Sequence, residues 1–95
     1  MNIKPGEFVI ANAGKEKGKC FVVLSVENQF LYLCNGKNRK VSNPKKKQIK
    51  HVLKAGAYDE EIIRSISGGN LADRQIRRSI SAFQGNLTAE SIIKE

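Results

Sequence analysis

Phe8-Val9-Ile10-Ala11, Asn12-Ala13-Gly14-Lys15-Glu16-Lys17-Gly18-Lys19 and Cys20-Phe21-Val22-Val23-Leu24-Ser25-Val26 follow one another without a break. The outer two are β-branched and aromatic runs of strand length. The middle one is built of turn formers and lysines, so the three read as two strands joined by a long charged loop. A further run, Phe30-Leu31-Tyr32-Leu33-Cys34, follows Glu27-Asn28-Gln29 closely enough for a hairpin and stops at Asn35-Gly36, a dipeptide that accepts positive φ. Val41 and His51-Val52-Leu53 supply two shorter strands around Pro44. Four or five short strands in about 50 residues, with turn signals between them, indicate a small closed barrel rather than a parallel sheet.

From Tyr58 onward the periodicity becomes helical. Ile62, Ile63 and Ile66 cluster on one side of a segment that opens with Asp59-Glu60-Glu61, where acids suit the positive end of a helix, and Gly68-Gly69 ends it. A second helix is predicted from about Leu71 to Phe83. Ala72, Ile76, Ile80 and Phe83 fall within about 80° of one another, with Arg74, Arg77 and Arg78 opposite. Gly85 is expected to break this helix, and Thr88 to cap a last short turn through Ile92-Ile93. Ile-x-Arg-Ser-Ile-Ser occurs at Ile62 and again at Ile76, a pair too short and too rarely repeated to make a solenoid.

The chain has 95 residues, enough for one small domain and too few for a large multi-step enzyme. Its formal net charge is +8, and the excess is not evenly spread. Residues 1–54 hold twelve Lys and Arg against three Glu, whereas residues 55–95 hold five against six acids. Positive charge concentrated in this way draws polyanions, so a phosphate-rich partner leads. No apolar segment stands behind the start Met1-Asn2-Ile3-Lys4-Pro5-Gly6, so export is not expected and the chain reads as cytoplasmic. Cys20 and Cys34 then read as small buried hydrophobes rather than a disulfide. The longest apolar run, Phe21 to Leu24, is far below the roughly 20 residues that span a bilayer.

Between Glu27 and Asp59 lie Lys37, Arg39, Lys40, Lys45, Lys46, Lys47, Lys50 and Lys54, together with His51 and no acid. Eight cations without an anion cannot all pair internally. Protection of a sheet edge needs only one or two lysines, so phosphate binding accounts better for the excess. In an extended Lys45-Lys46-Lys47, alternate side chains point to opposite sides, and only Lys45 and Lys47 can share one backbone ligand. Gly14-Lys15-Glu16-Lys17-Gly18-Lys19 falls short of a nucleotide-hydrolysing loop, because three residues rather than four separate its glycines and Cys20 opens a strand. It reads instead as a strand connector with exposed backbone N–H groups ringed by Lys15, Lys17 and Lys19. Metal ligation by Cys20, Cys34 and His51 lacks both the spacing and a fourth ligand. No acid–base constellation stands out, and no cofactor is expected. The aromatics number six, of which only Tyr32, out of phase with Leu31 and Leu33, is expected outside the core. Recognition should therefore rest on phosphates and shape, which favours folded RNA over unpaired sequence.

Gly6-Glu7-Phe8-Val9-Ile10 through Gly14-Lys15-Glu16-Lys17-Gly18-Lys19-Cys20-Phe21-Val22-Val23 resembles a KOW motif, with its glycine at Gly18. Asn43-Pro44-Lys45-Lys46-Lys47-Gln48-Ile49-Lys50-His51 and Asp73-Arg74-Gln75-Ile76-Arg77-Arg78-Ser79-Ile80 are similar to segments of the small bacterial KOW-domain RNA-binding proteins, themselves similar to KOW proteins of the archaeal and eukaryotic large ribosomal subunit. The resemblance covers roughly residues 3–84. It implies an SH3-like barrel, a non-catalytic RNA-binding role and association with ribosomes or translation. Two departures are Cys20, where the family pattern often has a larger residue, and the tail after Gly85, which has no counterpart.

The expectation is thus a mainly β chain: an SH3-like barrel over residues 1–54 and an appendage of two or three short helices over 55–95. It would bind structured RNA, ribosomal RNA above all, with ribosomal proteins as further partners and neither a membrane nor a small-molecule substrate. The binding residues would be Lys15, Lys17 and Lys19 in one element, and Lys37, Arg39, Lys40, Lys45, Lys46, Lys47, Lys50 and His51 in the other. His51 would donate to a phosphate or a 2′-hydroxyl. Arg74, Arg77 and Arg78 either extend this surface or form a solvated helix face. The rival reading is an SH3-like protein-interaction module, which an exposed aromatic groove would favour.

Overall fold

A computed structural model describes residues 2–94, with side chains described for residues 2–85. Five strands, β1 (Glu7–Ala11), β2 (Cys20–Glu27), β3 (Phe30–Cys34), β4 (Lys45–Gln48) and β5 (Val52–Tyr58), are followed by two helices, α1 (Glu60–Gly68) and α2 (Asp73–Lys94). The strands form one antiparallel sheet in the order β4-β3-β2-β1-β5. Asn28, at φ 56°, turns the hairpin between Glu27 and Phe30.

Alternation along the strands divides their apolar residues between two clusters. Val9, Ala11, Phe21, Val23, Leu31, Leu33 and Val52 pack together on one face with Ile3. Phe8, Cys20, Val22 and Cys34 point to the other face, where Ile62, Ile76 and Ile80 of the helices cover them. This explains runs such as Phe21 to Leu24: both sides of the strand are buried. The sheet is also strongly curved. Flat, its outer strands would lie about 19 Å apart at about 4.8 Å per spacing. Yet only a 3₁₀ turn over Ile49–His51 joins the end of β4 to the start of β5. β4 and β5 remain the two edges and share no ladder.

α1 begins and ends where the sequence signals it. Asp59 caps α1, its Oδ1 accepting from the backbone N–H groups of Glu61 at 2.9 Å and Ile62 at 3.3 Å, and Gly69 closes it at φ 72°. Ser79 of α2 donates to the other oxygen of Asp59, which ties the two helices together. The repeated Ile-x-Arg-Ser-Ile-Ser gains a meaning here. In each copy the two isoleucines four residues apart, Ile62 and Ile66 or Ile76 and Ile80, turn to the same apolar cluster, while Arg64 and Arg78 stay exposed. Phe83 extends that face by stacking on Phe8 with ring centroids 4.6 Å apart.

Several expectations are corrected. Gly85 does not break α2, which continues to Lys94. A glycine inside a helix costs about 1 kcal/mol but keeps its N–H, so it weakens a helix without stopping it. Thr88 accordingly lies within α2 rather than at a new helix start, and the side chains of Ile92 and Ile93 lie outside the described residues. Val41 is not in a strand, because its N–H is taken by Asp73 Oδ1 at 2.8 Å instead of by a ladder partner. The strand next to Pro44 is the lysine run itself, β4. β5 starts at Val52 and runs to Tyr58, so the division after residue 54 falls inside it. Ala72 precedes α2 and is exposed.

Glycines at 18 and 36 separate two kinds of constraint. Gly18 sits at φ 89° with open space where a β-carbon would project, whereas Gly36, at φ 78°, has the carbonyl of Asp73 and the side chain of Arg77 against it. Gly18→Val is expected to cost at least about 1 kcal/mol through backbone conformation alone, and Gly36→Ala about 2 to 3 kcal/mol because a collision is added. Urea unfolding of the two variants checks the order.

Candidate nucleic-acid interface

Three elements rich in cations are tied together by bonds that the sequence spacing conceals. The first is the β1–β2 loop, residues 12–19, which folds back on itself through Ala11 N–H to Lys19 C=O at 2.9 Å and Gly18 N–H to Ala11 C=O at 2.8 Å. Lys15, Lys17 and Lys19 all point to solvent from it, while Glu16 turns inward and is 7 % exposed. The second is the turn after β3, where the Asn35 side chain accepts from the backbone N–H groups of Lys37 and Arg39. Arg39 crosses from this turn to the loop, its Nε donating to Glu16 Oε2 at 3.2 Å. Third comes β4. Lys47 Nζ donates to the carbonyl of Ala13 at 2.9 Å, so the edge strand also holds the loop.

The expected binding residues therefore divide by role. Arg39 and Lys47 hold the interface together. Lys15, Lys17, Lys19, Lys37, Lys40 and Lys50 are exposed, and no carboxylate lies within salt-bridge distance of them among the described residues. Lys45 is half-buried, facing the same side as Lys47 from its register position opposite Leu33. Lys46, opposite Tyr32, lies with its ammonium 4.5 Å from the centre of the Phe30 ring and 6.0 Å from that of Tyr32. His51 is half-buried in the 3₁₀ turn, its carbonyl accepting from Asn12 N–H at 2.8 Å, which brings the turn beside the start of the loop.

The arginines of α2 do not act as one face. Arg77 Nη1 donates to the carbonyl of Gly36 at 2.6 Å and joins the turn after β3 to the helix. Together with Lys19 and Lys37 it borders a cleft of about 610 Å³ that no carboxylate lines among the described residues. Arg74 and Arg78 line a different cleft, shared with Asp59 and Glu61. Opposite charge is thus already present beside them.

Tyr58, placed with the core by its sequence, is 59 % exposed on β5, whereas Tyr32 is half-buried with its hydroxyl 3.4 Å from Glu27 Oε1. Tyr58 belongs to an edge strand, and that position is set by strand order, which no periodicity signal could have shown. Burial pushes the Cys20 thiol up to about 11. Burial, with the Asp73 carboxylate adding to it, pushes that of Cys34 up to about 12. Both are therefore neutral near pH 7 and poor nucleophiles or ligands. No protein-family model matches the chain and no curated protein matches it, so the likeness to KOW proteins rests on the residues quoted for it.

Arg77→Gln is expected to lower stability by about 1 kcal/mol, since the carbonyl of Gly36 loses a charged donor. Arg74→Gln with Arg78→Gln should stay within about 0.5 kcal/mol of the parent, because both are exposed and Gln keeps nearly the helix propensity of Arg. Thermal unfolding of the two proteins measures the difference.

Proposed function

We propose that this chain is a non-catalytic RNA-binding protein of the KOW type, an SH3-like barrel with a helical cover, acting in the cytoplasm on structured RNA. Ribosomal RNA is the RNA best suited to it, and the ribosome or another translation assembly the setting. One observation carries this reading: among the described residues, exposed lysines without carboxylate partners stand on the β1–β2 loop, the turn after β3 and the 3₁₀ turn after β4, and the loop is bonded to both turns. Such a set neutralises phosphates at fixed spacing, which suits a folded sugar–phosphate backbone better than a flexible strand. The half-buried Phe30 and Tyr32, partly covered by Lys46, support the same preference, because an open row of rings for stacking unpaired bases is absent among the described residues. No helix among the described residues is long and apolar enough to cross a membrane.

A second reading, a protein-interaction module, has one observation in its favour. β5 is an edge strand that exposes Leu53 by 50 % and Tyr58 by 59 %. Edge strands of this kind accept an added strand from a partner.

Salt dependence separates them. If about five phosphates are neutralised, log K for a folded RNA should fall with log salt at a slope near −4, weakening binding roughly 100- to 500-fold between about 50 and 200 mM. Replacing Lys15, Lys17 and Lys19 by Gln should make that slope shallower by about one unit per contact removed, with little change in thermal unfolding. A flat titration in the parent protein would remove the RNA reading.

A further inference from the structure

We propose that the cleft bounded by the end of the β1–β2 loop, the turn after β3 and one flank of α2 is a subsite for a single nucleotide extruded from a structured RNA. This rests on the RNA-binding reading and goes beyond it, since it adds a place where a base, and not only a backbone, is held.

The cleft holds about 610 Å³, which falls in the range of about 300 to 1,000 Å³ typical of small-molecule sites and is ample for one nucleotide. Among the described residues its charge is of one sign: Lys19, Lys37 and Arg77 border it from three separate elements, and no described carboxylate lines it. That suits a phosphate, in contrast to the cleft beside Arg74 and Arg78, where Asp59 and Glu61 stand opposite the arginines. Part of its wall is apolar. Cys20 and Ile80, 5 % and 8 % exposed, contribute only small apolar edges to it, and the raised thiol pKa keeps Cys20 uncharged there.

Polar groups able to meet a base edge sit in the same wall. Asn38 Oδ1 is occupied by the Asn35 amide at 2.8 Å, which leaves the amide N–H groups of Asn38 to donate. Arg77 is held by the Gly36 carbonyl at 2.6 Å, so its guanidinium is fixed before anything binds. A fixed guanidinium plane offers a stacking face to a splayed base. With the rings of Phe30 and Tyr32 half-buried beside Lys46, this cleft is where an unstacked base would find a face and a set of donors together. Extruding a nucleotide costs a few kcal/mol in a duplex and least where the base is already unpaired. The preferred target is therefore a helix bearing a single-nucleotide bulge.

The test uses the full chain, two RNA hairpins identical except for one bulged nucleotide, and nucleoside 5′-monophosphates. The bulged hairpin is expected to bind at least about fivefold more tightly than the paired one, since the unpaired base enters without breaking a pair. Ser81, exposed on α2 at the cleft, provides the block. In Ser81→Phe, whose net charge is unchanged, the ratio of the two affinities should fall to about one. Independently, adenosine or uridine 5′-monophosphate should shift the backbone amide resonances of Lys19, Lys37 and Ser81 in the parent chain, and the shifts should vanish in Ser81→Phe. Equal binding of the two hairpins by the parent, or a bulge preference that survives Ser81→Phe, overturns the proposal. Failure of both hairpins to bind removes the RNA reading itself. Mononucleotide shifts confined to other residues, or absent, overturn the subsite whatever the hairpins do.

Discussion

A sheet that is apolar on both faces must be covered twice, and the rest of the molecule is arranged around that requirement. Phe21 and Val23 face one way while Cys20 and Val22 face the other, within a single strand. Curvature closes over the first set, with Ile3 and Ile49 at its margin, and two helices close over the second. Burying an aliphatic or aromatic side chain contributes about 1.5 to 3 kcal/mol each. For a chain of 95 residues the helical cover is therefore part of the core rather than an attachment to a finished barrel. The same requirement leaves the polar work to the connections, since the middle of every central strand is occupied by packing.

Much of this was legible because it is local. Continuous β-branched and aromatic runs announce strands, Asp59-Glu60-Glu61 announces a helix start, and Gly68-Gly69 its end, each through a mechanism confined to a few residues. What was not legible depends on distant partners. Lysine has no strong preference for strands, so Lys45–Gln48 could be considered extended but not assigned to the sheet. Its extended form comes from pairing with β3, where Lys45 meets Leu33 and Lys47 meets Leu31. Val41 looked like a strand residue and is instead held by a carboxylate 32 positions away. Gly85 carried a stop signal too weak to act alone.

The interface shows the same division. That the positive excess lies in the first half of the chain could be read from its composition, but which of those cations are engaged within the fold could not. Arg39 finds Glu16 at a separation of 23 residues, Lys47 finds the Ala13 carbonyl at 34, and Arg77 finds the Gly36 carbonyl at 41. Each of these converts a residue that composition counts as a binding charge into a fastening between loops. Arg77 does both, because it fastens the turn and still borders the cationic cleft.

That fastening bears on the entropy of association. A loop that is ordered only when its ligand arrives gives back part of the interaction energy, about 0.5 to 1.5 kcal/mol for each long side chain immobilised and more for the backbone. Here the turn after β3 is closed internally by Asn35 and joined to α2 by Arg77, with Asp73 holding Val41 just beyond it. Its backbone is therefore set before any encounter, and the freedom surrendered on binding is confined to the tips of Lys37 and its exposed neighbours. On the proposed RNA-binding reading, a surface prepared in this way would discriminate by shape, because a partner whose phosphates are spaced differently could not be accommodated by rearranging the turn.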